Sequence, residues 1–240
     1  INNTVIGTDA GDALTSGGYS TAVGKGALST EDGHSNNTAV GYEALRDLNA
    51  GADGNNVGVG NIAGRELTTG VENTIVGSFA GDALTDADYN VAVGYASLSS
   101  DTKGNKSTAI GFGALNNQTF STSTDTENTA IGYNAGSAVT NAAGSTFVGY
   151  LSGPNSGTAG TGNANTAIGR LAGYSLTTGN NNCLMGYNAG DLITTGIKNI
   201  LIGVDTGSIT VGLTEGNNNV IVGHNAHTSV YNADAQTVLG

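Results

Sequence analysis

Tryptophan is absent from this 240-residue chain, and cysteine, proline and methionine occur once each. Because Cys183 stands alone, no disulfide can form within the chain, and cysteine usage does not indicate a redox compartment. Aromatic residues make up only 5% of the sequence, so the bulky side chains that usually fill a globular core are scarce. The core must be built from small and medium aliphatic residues.

Basic residues are also scarce, with 7 Lys and Arg against 19 Asp and Glu, which gives a net charge of −12. Proteins that bind nucleic acid or anionic membrane surfaces use clusters of Lys and Arg, and no such cluster occurs. No apolar run reaches the length of a transmembrane helix. We therefore expect no nucleic-acid partner and no membrane insertion by this segment, and the acidity suits an extracellular protein.

Glycine, by contrast, is abundant and periodic. A triplet of mostly apolar residues runs into a glycine fourteen times, and most of these glycines are 17 residues apart, with four longer steps of 19 to 21. A period in this range indicates one short supersecondary unit stacked many times. The sequence therefore predicts an all-β solenoid of about fourteen 17-residue coils, forming one continuous domain over residues 1–240.

Each triplet before the recurrent glycine predicts a short strand. With that glycine at position 0, position −1 is always apolar, and β-branched residues dominate positions −1 and −3. Alternation places −1 and −3 on one face of the strand and −2 on the other. We interpret position −1 as the structural core column of the coil. Its members are Ile6, Val23, Val40, Val59, Val76, Val93, Ile110, Ile131, Val148, Ile168, Met185, Ile202 and Val222.

Position −2 is never polar either, so both faces of the strand must be covered. Its residues are mostly small, which suits close approach by another element, and we predict that this element is a neighbouring subunit. The predicted subunit interface consists of Ala22, Ala39, Ala92, Ala109, Ala130, Phe147, Ala167, Leu184, Leu201 and Ile221.

Other columns predict how each coil closes. Position −4 is Asn in ten units, which predicts a stacked side-chain ladder that satisfies corner amides. Position +3 is small, and a large aliphatic residue follows either at +4 or, where +4 is glycine, at +7. We infer that the same interior space of each coil is filled by one aliphatic side chain, which comes from either position +4 or position +7. We also predict two strands of four or five residues in each coil.

An aromatic column follows the glycine at position +1. Its members are Tyr42, Tyr95, Phe112, Tyr133, Tyr150 and Tyr187. Two interpretations stay open for these residues, burial between subunits and contact with a glycan or surface receptor.

No pattern of catalytic, cofactor-binding or metal-binding residues is present, and we expect no enzymatic activity. His224 and His227 are a weak metal signal, and His34 is assigned to a turn. The turn carboxylates leave calcium open as a ligand, although the nonapeptide of calcium-bound β-rolls is missing. These carboxylates are Asp9, Asp12, Asp82, Asp86, Asp88 and Asp191. Cys183 and Met185 are interpreted as core residues.

Units such as NTAVGYEAL at 37–45 and NTAIGYNAG at 128–136 resemble the head repeats of trimeric autotransporter adhesins and the repeats of phage tail-fibre proteins. The resemblance covers the whole chain, although the 17-residue period is longer than is usual in autotransporter heads. It implies a left-handed parallel β-roll, three chains side by side, and a role in attachment.

We therefore expect a non-enzymatic extracellular fibre segment, structural or adhesive, carried on a cell surface or virion as part of a longer fibre. Its expected partners are its own copies in a homotrimer and a host-surface glycan or protein receptor. Two alternatives stay open: a polysaccharide-cleaving phage tailspike, and an ice- or mineral-binding solenoid that presents the threonines of position −3.

Overall fold

The computed structural model describes residues 2–33, 35–207, 214–227 and 233–240. The chain divides into two compact units, Ile1–Thr126 and Glu127–Gly240. Each unit is a parallel β-solenoid, and no described residue is helical. His34 lies outside the described residues. The expectation of one continuous domain stays a prediction, as do the left-handed coiling and the trimer.

The first unit contains a seven-stranded parallel sheet and a separate two-stranded one. The strands are β1 (Thr4–Ile6), β2 (Thr21–Val23), β3 (Thr38–Val40), β4 (Val57–Val59), β5 (Thr74–Val76), β6 (Val91–Val93), β7 (Gly104–Asn105), β8 (Thr108–Ile110) and β9 (Thr124–Asp125). In the larger sheet the order is β1-β2-β3-β4-β5-β6-β8, and β7 pairs with β9.

The second unit repeats the design with seven parallel strands in sequence order. These are β10 (Thr129–Ile131), β11 (Thr146–Val148), β12 (Thr166–Ile168), β13 (Cys183–Met185), β14 (Ile200–Ile202), β15 (Val220–Val222) and β16 (Thr237–Leu239). Residues paired across neighbouring strands occupy the same position in successive repeats, as in Thr4↔Thr21 and Cys183↔Ile200. This register confirms the predicted solenoid with one repeat in each turn.

Each regular coil contributes a single three-residue strand, so the prediction of two longer strands was wrong. The rest of the coil turns through left-handed residues at positions −5, +2 and +4, for example Tyr89, Ala96 and Leu98, with φ of 60°, 50° and 53°. Such φ values are rare for residues other than glycine. Hydrogen bonds between coils hold them in place, since the amide of Ala96 donates to the carbonyl of Ser78 and that of Leu98 to Ala114, both at 3.0 Å.

The two strand faces are the reverse of the prediction. Position −2 faces the interior of its own coil, and every residue predicted there as a subunit interface has an exposed fraction of 0%. These are Ala22, Ala39, Ala92, Ala109, Ala130, Phe147, Ala167, Leu184, Leu201 and Ile221. Position −1, predicted as the core column, faces outward and is half-buried or exposed throughout. Its residues are Ile6, Val23, Val40, Val59, Val76, Val93, Ile110, Ile131, Val148, Ile168, Met185, Ile202 and Val222. Cys183 and Met185 accordingly lie on the outward side.

The reason for the reversal is the narrow interior of a 17-residue coil. Position −2 faces the opposite side of the same coil, so its side chain shares one small interior space with the residues of that side. Where position −2 is large, as in Phe147, glycine stands opposite at +4, and a Cβ at Gly153 would collide with the ring. Large aliphatic residues enter from the far side at +4 or +7, as do Leu98 and Leu84, both fully buried. A Cβ added to Gly81 would lie 2.8 Å from Cδ1 of Leu84, which confirms that side chains from the two positions fill the same space.

Candidate functional site

The outward strand face is an uncharged surface on both units. Positions −3 and −1 hold only Thr, Val, Ile, Cys, Met and Leu, and stacked strands repeat them at about 4.8 Å. In the first unit five of the seven strands carry threonine at −3 with valine or isoleucine at −1, and Ile110 is 37% exposed. In the second unit four of the seven strands still carry threonine at −3, and Ile131 and Ile200 are each 40% exposed. Apolar side chains repeated along a sheet are typical of an interaction surface.

A buried asparagine ladder holds the strands of each unit in register. The side-chain oxygen of Asn56 accepts from the backbone amide of Asn73 at 2.9 Å, and the oxygen of Asn73 accepts from that of Asn90 at 2.9 Å. The amide nitrogen of each asparagine also donates to a turn carbonyl, as Asn73 does to Ala87 at 2.7 Å. The second unit repeats the arrangement through Asn182. The predicted ladder is confirmed, and its role is structural.

A buried polar network replaces part of the core near the end of the first unit, and sequence reasoning missed it. The fully buried Asp101 accepts hydrogen bonds from the backbone amides of Gly104 and Phe120 and from Nε2 of Gln118 at 2.6 Å. Asp101 and Gln118 occupy position +7 in coils whose +4 residue is leucine. That leucine fills the interior of the coil, so position +7 is free to carry a polar residue. A polar residue at +7 combined with leucine at +4 is the sequence signal that could have identified the buried network.

The aromatic column at +1 lies on the surface, with its members 43–50% exposed. Neighbouring rings stack on each other: Tyr95 on Phe112 with centroids 5.2 Å apart, and Tyr133 on Tyr150 at 5.3 Å. Stacked rings cover one another's faces and offer a ligand mainly their edges and hydroxyl groups. Of the two interpretations left open for this column, face-on contact with sugar rings therefore does not suit its stacked parts.

Arg170 continues this column in the second unit. Its guanidinium lies 5.4 Å from the ring centre of Tyr150 and 5.3 Å from that of Tyr187, and it donates a hydrogen bond to the Tyr187 hydroxyl. A cation between two aromatic faces is stabilised by both ring quadrupoles. The arginine therefore fills the position between these two rings.

The turn carboxylates do not gather into one site. Within the described residues no group of three or more His, Cys, Asp or Glu side chains could hold a metal ion. Asp88 accepts from the backbone amide of Val71, and Asp86 pairs with Lys103 at 3.7 Å. Two carboxylates are partly desolvated: burial raises the pKa of Asp82, and burial together with the negative charge of Asp205 raises the pKa of Asp191 to about 6.

Comparison with known proteins yields no match: no protein-family model, curated protein or solved structure matches this chain. The resemblance to autotransporter heads and tail-fibre repeats therefore stays a prediction. Nor do the described ranges contain any helix with the length and apolar character needed to span a bilayer.

Proposed function

We propose that this chain is a non-enzymatic segment of an extracellular attachment fibre that assembles as a homotrimer through its outward strand face. The observation that carries the proposal is the uncharged face of half-exposed residues at positions −3 and −1, repeated on seven strands in each unit. Apolar rows of this length favour association. The repeat resemblance supports three chains around one axis, an arrangement in which closed symmetry covers the same face on every copy.

This assignment moves the predicted interface from position −2 to positions −1 and −3. The alanines that seemed available for a neighbour are already inside their own coil, whereas Val76 and Val93 face outward. Stable interfaces bury roughly 800 Å² per partner, and this face offers two side chains on each of seven strands. The threonines among them can form hydrogen bonds to a neighbouring chain or to water.

Light scattering of the whole chain after size-exclusion chromatography tests the assembly. We expect the mass of three chains, and we expect Val76→Lys to dissociate them because a lysine would be buried without a partner. Thr69→Lys, at an exposed turn of the neighbouring coil, is the matched control and should remain trimeric. A monomeric parent chain at micromolar concentration would overturn the proposal.

Attachment is tested by adsorption of the fluorescently labelled chain to whole bacterial and animal cells. The trimer should adsorb, and the Val76→Lys monomer should adsorb less because it loses multivalent contact. Equal failure of both proteins on every surface would count against a role in adhesion.

A second candidate is favoured by one observation: the threonines of position −3 face outward, as Thr21 and Thr38 do. A regular outward array of hydroxyl and methyl groups could order water against ice or a mineral surface. Thermal hysteresis measured on the parent and on Thr38→Lys tests this candidate. An effect that the substitution abolishes would favour it over a trimer that covers the same face.

A further inference from the structure

The aromatic column of the first unit is interrupted between Tyr42 and Tyr95. The two coils between them carry Asn61 and Ser78 at the same position. Backbone hydrogen bonds keep the column aligned, since Ile62 donates to the carbonyl of Tyr42 at 2.8 Å. At about 4.8 Å per coil, three coil steps separate the two tyrosines by about 14 Å. The small residues therefore leave a notch between two aromatic walls.

The walls of this notch differ from the stacked parts of the column. Tyr42 is 43% exposed, and no described aromatic or cationic side chain stacks on its ring. Tyr95 uses one face to stack on Phe112 and meets Phe79 edge-on, with centroids 5.7 Å apart. Phe79, at position +2, is half-buried beside Ser78. The notch thus offers an open tyrosine face at one end and an aromatic pair at the other.

The polar groups of the notch are not engaged by the described protein. The side chains of Asn61 and Ser78 are half-buried, and neither forms a hydrogen bond with another described residue. An amide and a hydroxyl can both donate and accept, so they match groups that do both, such as sugar hydroxyls. These two residues suit a ligand with several hydroxyl groups.

Charges near the notch are mostly paired, with one carboxylate in excess over the arginines. Glu43 accepts from the Tyr42 hydroxyl, which raises the pKa of that phenol. Its carboxylate also pairs with Arg46 at 3.0 Å, and Arg46 in turn pairs with Asp47 at 2.7 Å. Because Arg46 is shared by two carboxylates, a small excess of negative charge remains, and the notch favours a neutral ligand over an anionic one.

We propose that this notch binds a neutral saccharide, with the apolar face of one pyranose ring against Tyr42 and its hydroxyls hydrogen-bonded to Asn61 and Ser78. An aromatic face pairs with the apolar face of a sugar ring, while the polar floor fixes its orientation. Because Phe79 lies beside Tyr95 in the coil of Ser78, the open part of the notch spans about two coil steps, roughly 10 Å, which fits one pyranose unit once van der Waals contact is subtracted. The inference rests on the proposed attachment function and names its ligand class.

Saturation-transfer NMR on the full chain, with maltose, lactose and N,N′-diacetylchitobiose as probes at millimolar concentration, tests the site. We expect at least one disaccharide to receive saturation. Tyr42→Ala should weaken its binding at least about tenfold. Tyr150→Ala, which removes an equally exposed ring from a stacked part of the column, is the matched control and should leave binding within about twofold.

Asn61→Tyr provides a test that does not depend on removing a side chain. Tyrosine occupies this position in five other coils, so the variant should fold, and its ring should close the notch and abolish saccharide binding. Binding equal to the parent in this variant, or no saturation transfer to any of the three probes, would overturn the inference.

The proposed attachment fibre and the proposed saccharide site can be disproved independently of each other. A trimer that adsorbs to cells equally before and after periodate oxidation of surface sugars would remove the saccharide site and leave the attachment fibre. A monomer that binds a disaccharide in an Asn61-dependent manner would remove the fibre and leave the site.

Discussion

The side-chain oxygen of Asn56 accepts two hydrogen bonds from Asn73, one from its backbone amide at 2.9 Å and one from its side-chain amide at 3.1 Å. Both residues are fully buried, so the bonds are shielded from water. The same contact recurs along each unit wherever two successive coils carry asparagine at position −4. It links every such strand to the next through a side chain as well as through the backbone.

Replacing Asn73 by alanine should therefore destabilise the first unit by about 3 kcal/mol. The substitution leaves the buried amide of Asn90 and the carbonyl of Ala87 without their partner, and each unsatisfied buried group costs about 1–3 kcal/mol. Urea unfolding followed by circular dichroism measures the loss. Asn61→Ala, at a half-buried asparagine whose side chain forms no hydrogen bond with another described residue, is the control and should cost under about 0.5 kcal/mol. Equal costs would contradict a structural role for the ladder.

The glycine that ends each strand should not tolerate a side chain. Gly77 has a φ of +137°, and a Cβ there would lie 2.5 Å from the carbonyl oxygen of Gly94 in the next coil. We expect Gly77→Ala to cost at least about 3 kcal/mol, because backbone strain adds to the collision. Gly51→Ala, where φ is +69° and the space is open, should cost about 1–2 kcal/mol. Thermal unfolding of the two variants distinguishes them, and similar melting temperatures would refute the close stacking.

A third prediction concerns the large aliphatic residue of each coil, which can be moved from position +7 to position +4. Gly81→Leu alone overpacks the coil and should cost about 1–3 kcal/mol, while Leu84→Ala alone leaves a cavity and should cost about 2–5 kcal/mol. Because Leu98 already occupies position +4 in the next coil, the double variant should be more stable than the sum of the two costs implies. A double-mutant cycle should give a favourable coupling of at least about 1 kcal/mol. Additive costs would show that the two side chains occupy separate spaces.

The free energy of unfolding of the second unit should vary with pH because of Asp191. Its pKa of about 6 lies above the value of about 3.9 in an unfolded chain, so the folded state binds the proton more tightly. The resulting stabilisation is fully present below about pH 4 and is lost as the pH rises through 6. We expect a contribution of roughly 1 kcal/mol, since the side chain is only partly buried.

Asp191→Asn isolates this effect. Urea unfolding at pH 4 and at pH 7 should show a smaller decline for the variant than for the parent, and the variant should be the more stable of the two at pH 7. An unchanged difference between the two pH values would show that the carboxyl group is not the source.

The repeat, the parallel register and the asparagine ladder were predictable because each depends on one residue type recurring at a fixed spacing. The buried network around Asp101 was missed, because a single acidic residue at a turn has the sequence appearance of a solvated one unless position +4 of its coil is considered as well. Its burial depends on leucine at +4 filling the core from elsewhere in the same coil. The notch between Tyr42 and Tyr95 is visible in the column as two small residues, but its significance depends on which rings stack.

By itself the sequence determined a stack of parallel coils and which strand positions share a face, because a strand alternates its side chains with period two. It did not determine which face of the strand points into the coil. Positions −2 and −1 are both apolar, and a period of two separates the two faces without showing which of them is buried. Only the tertiary structure decided this. Position −2 lies within the small space that its own coil encloses, beside the aliphatic residue from +4 or +7, whereas positions −3 and −1 face outward.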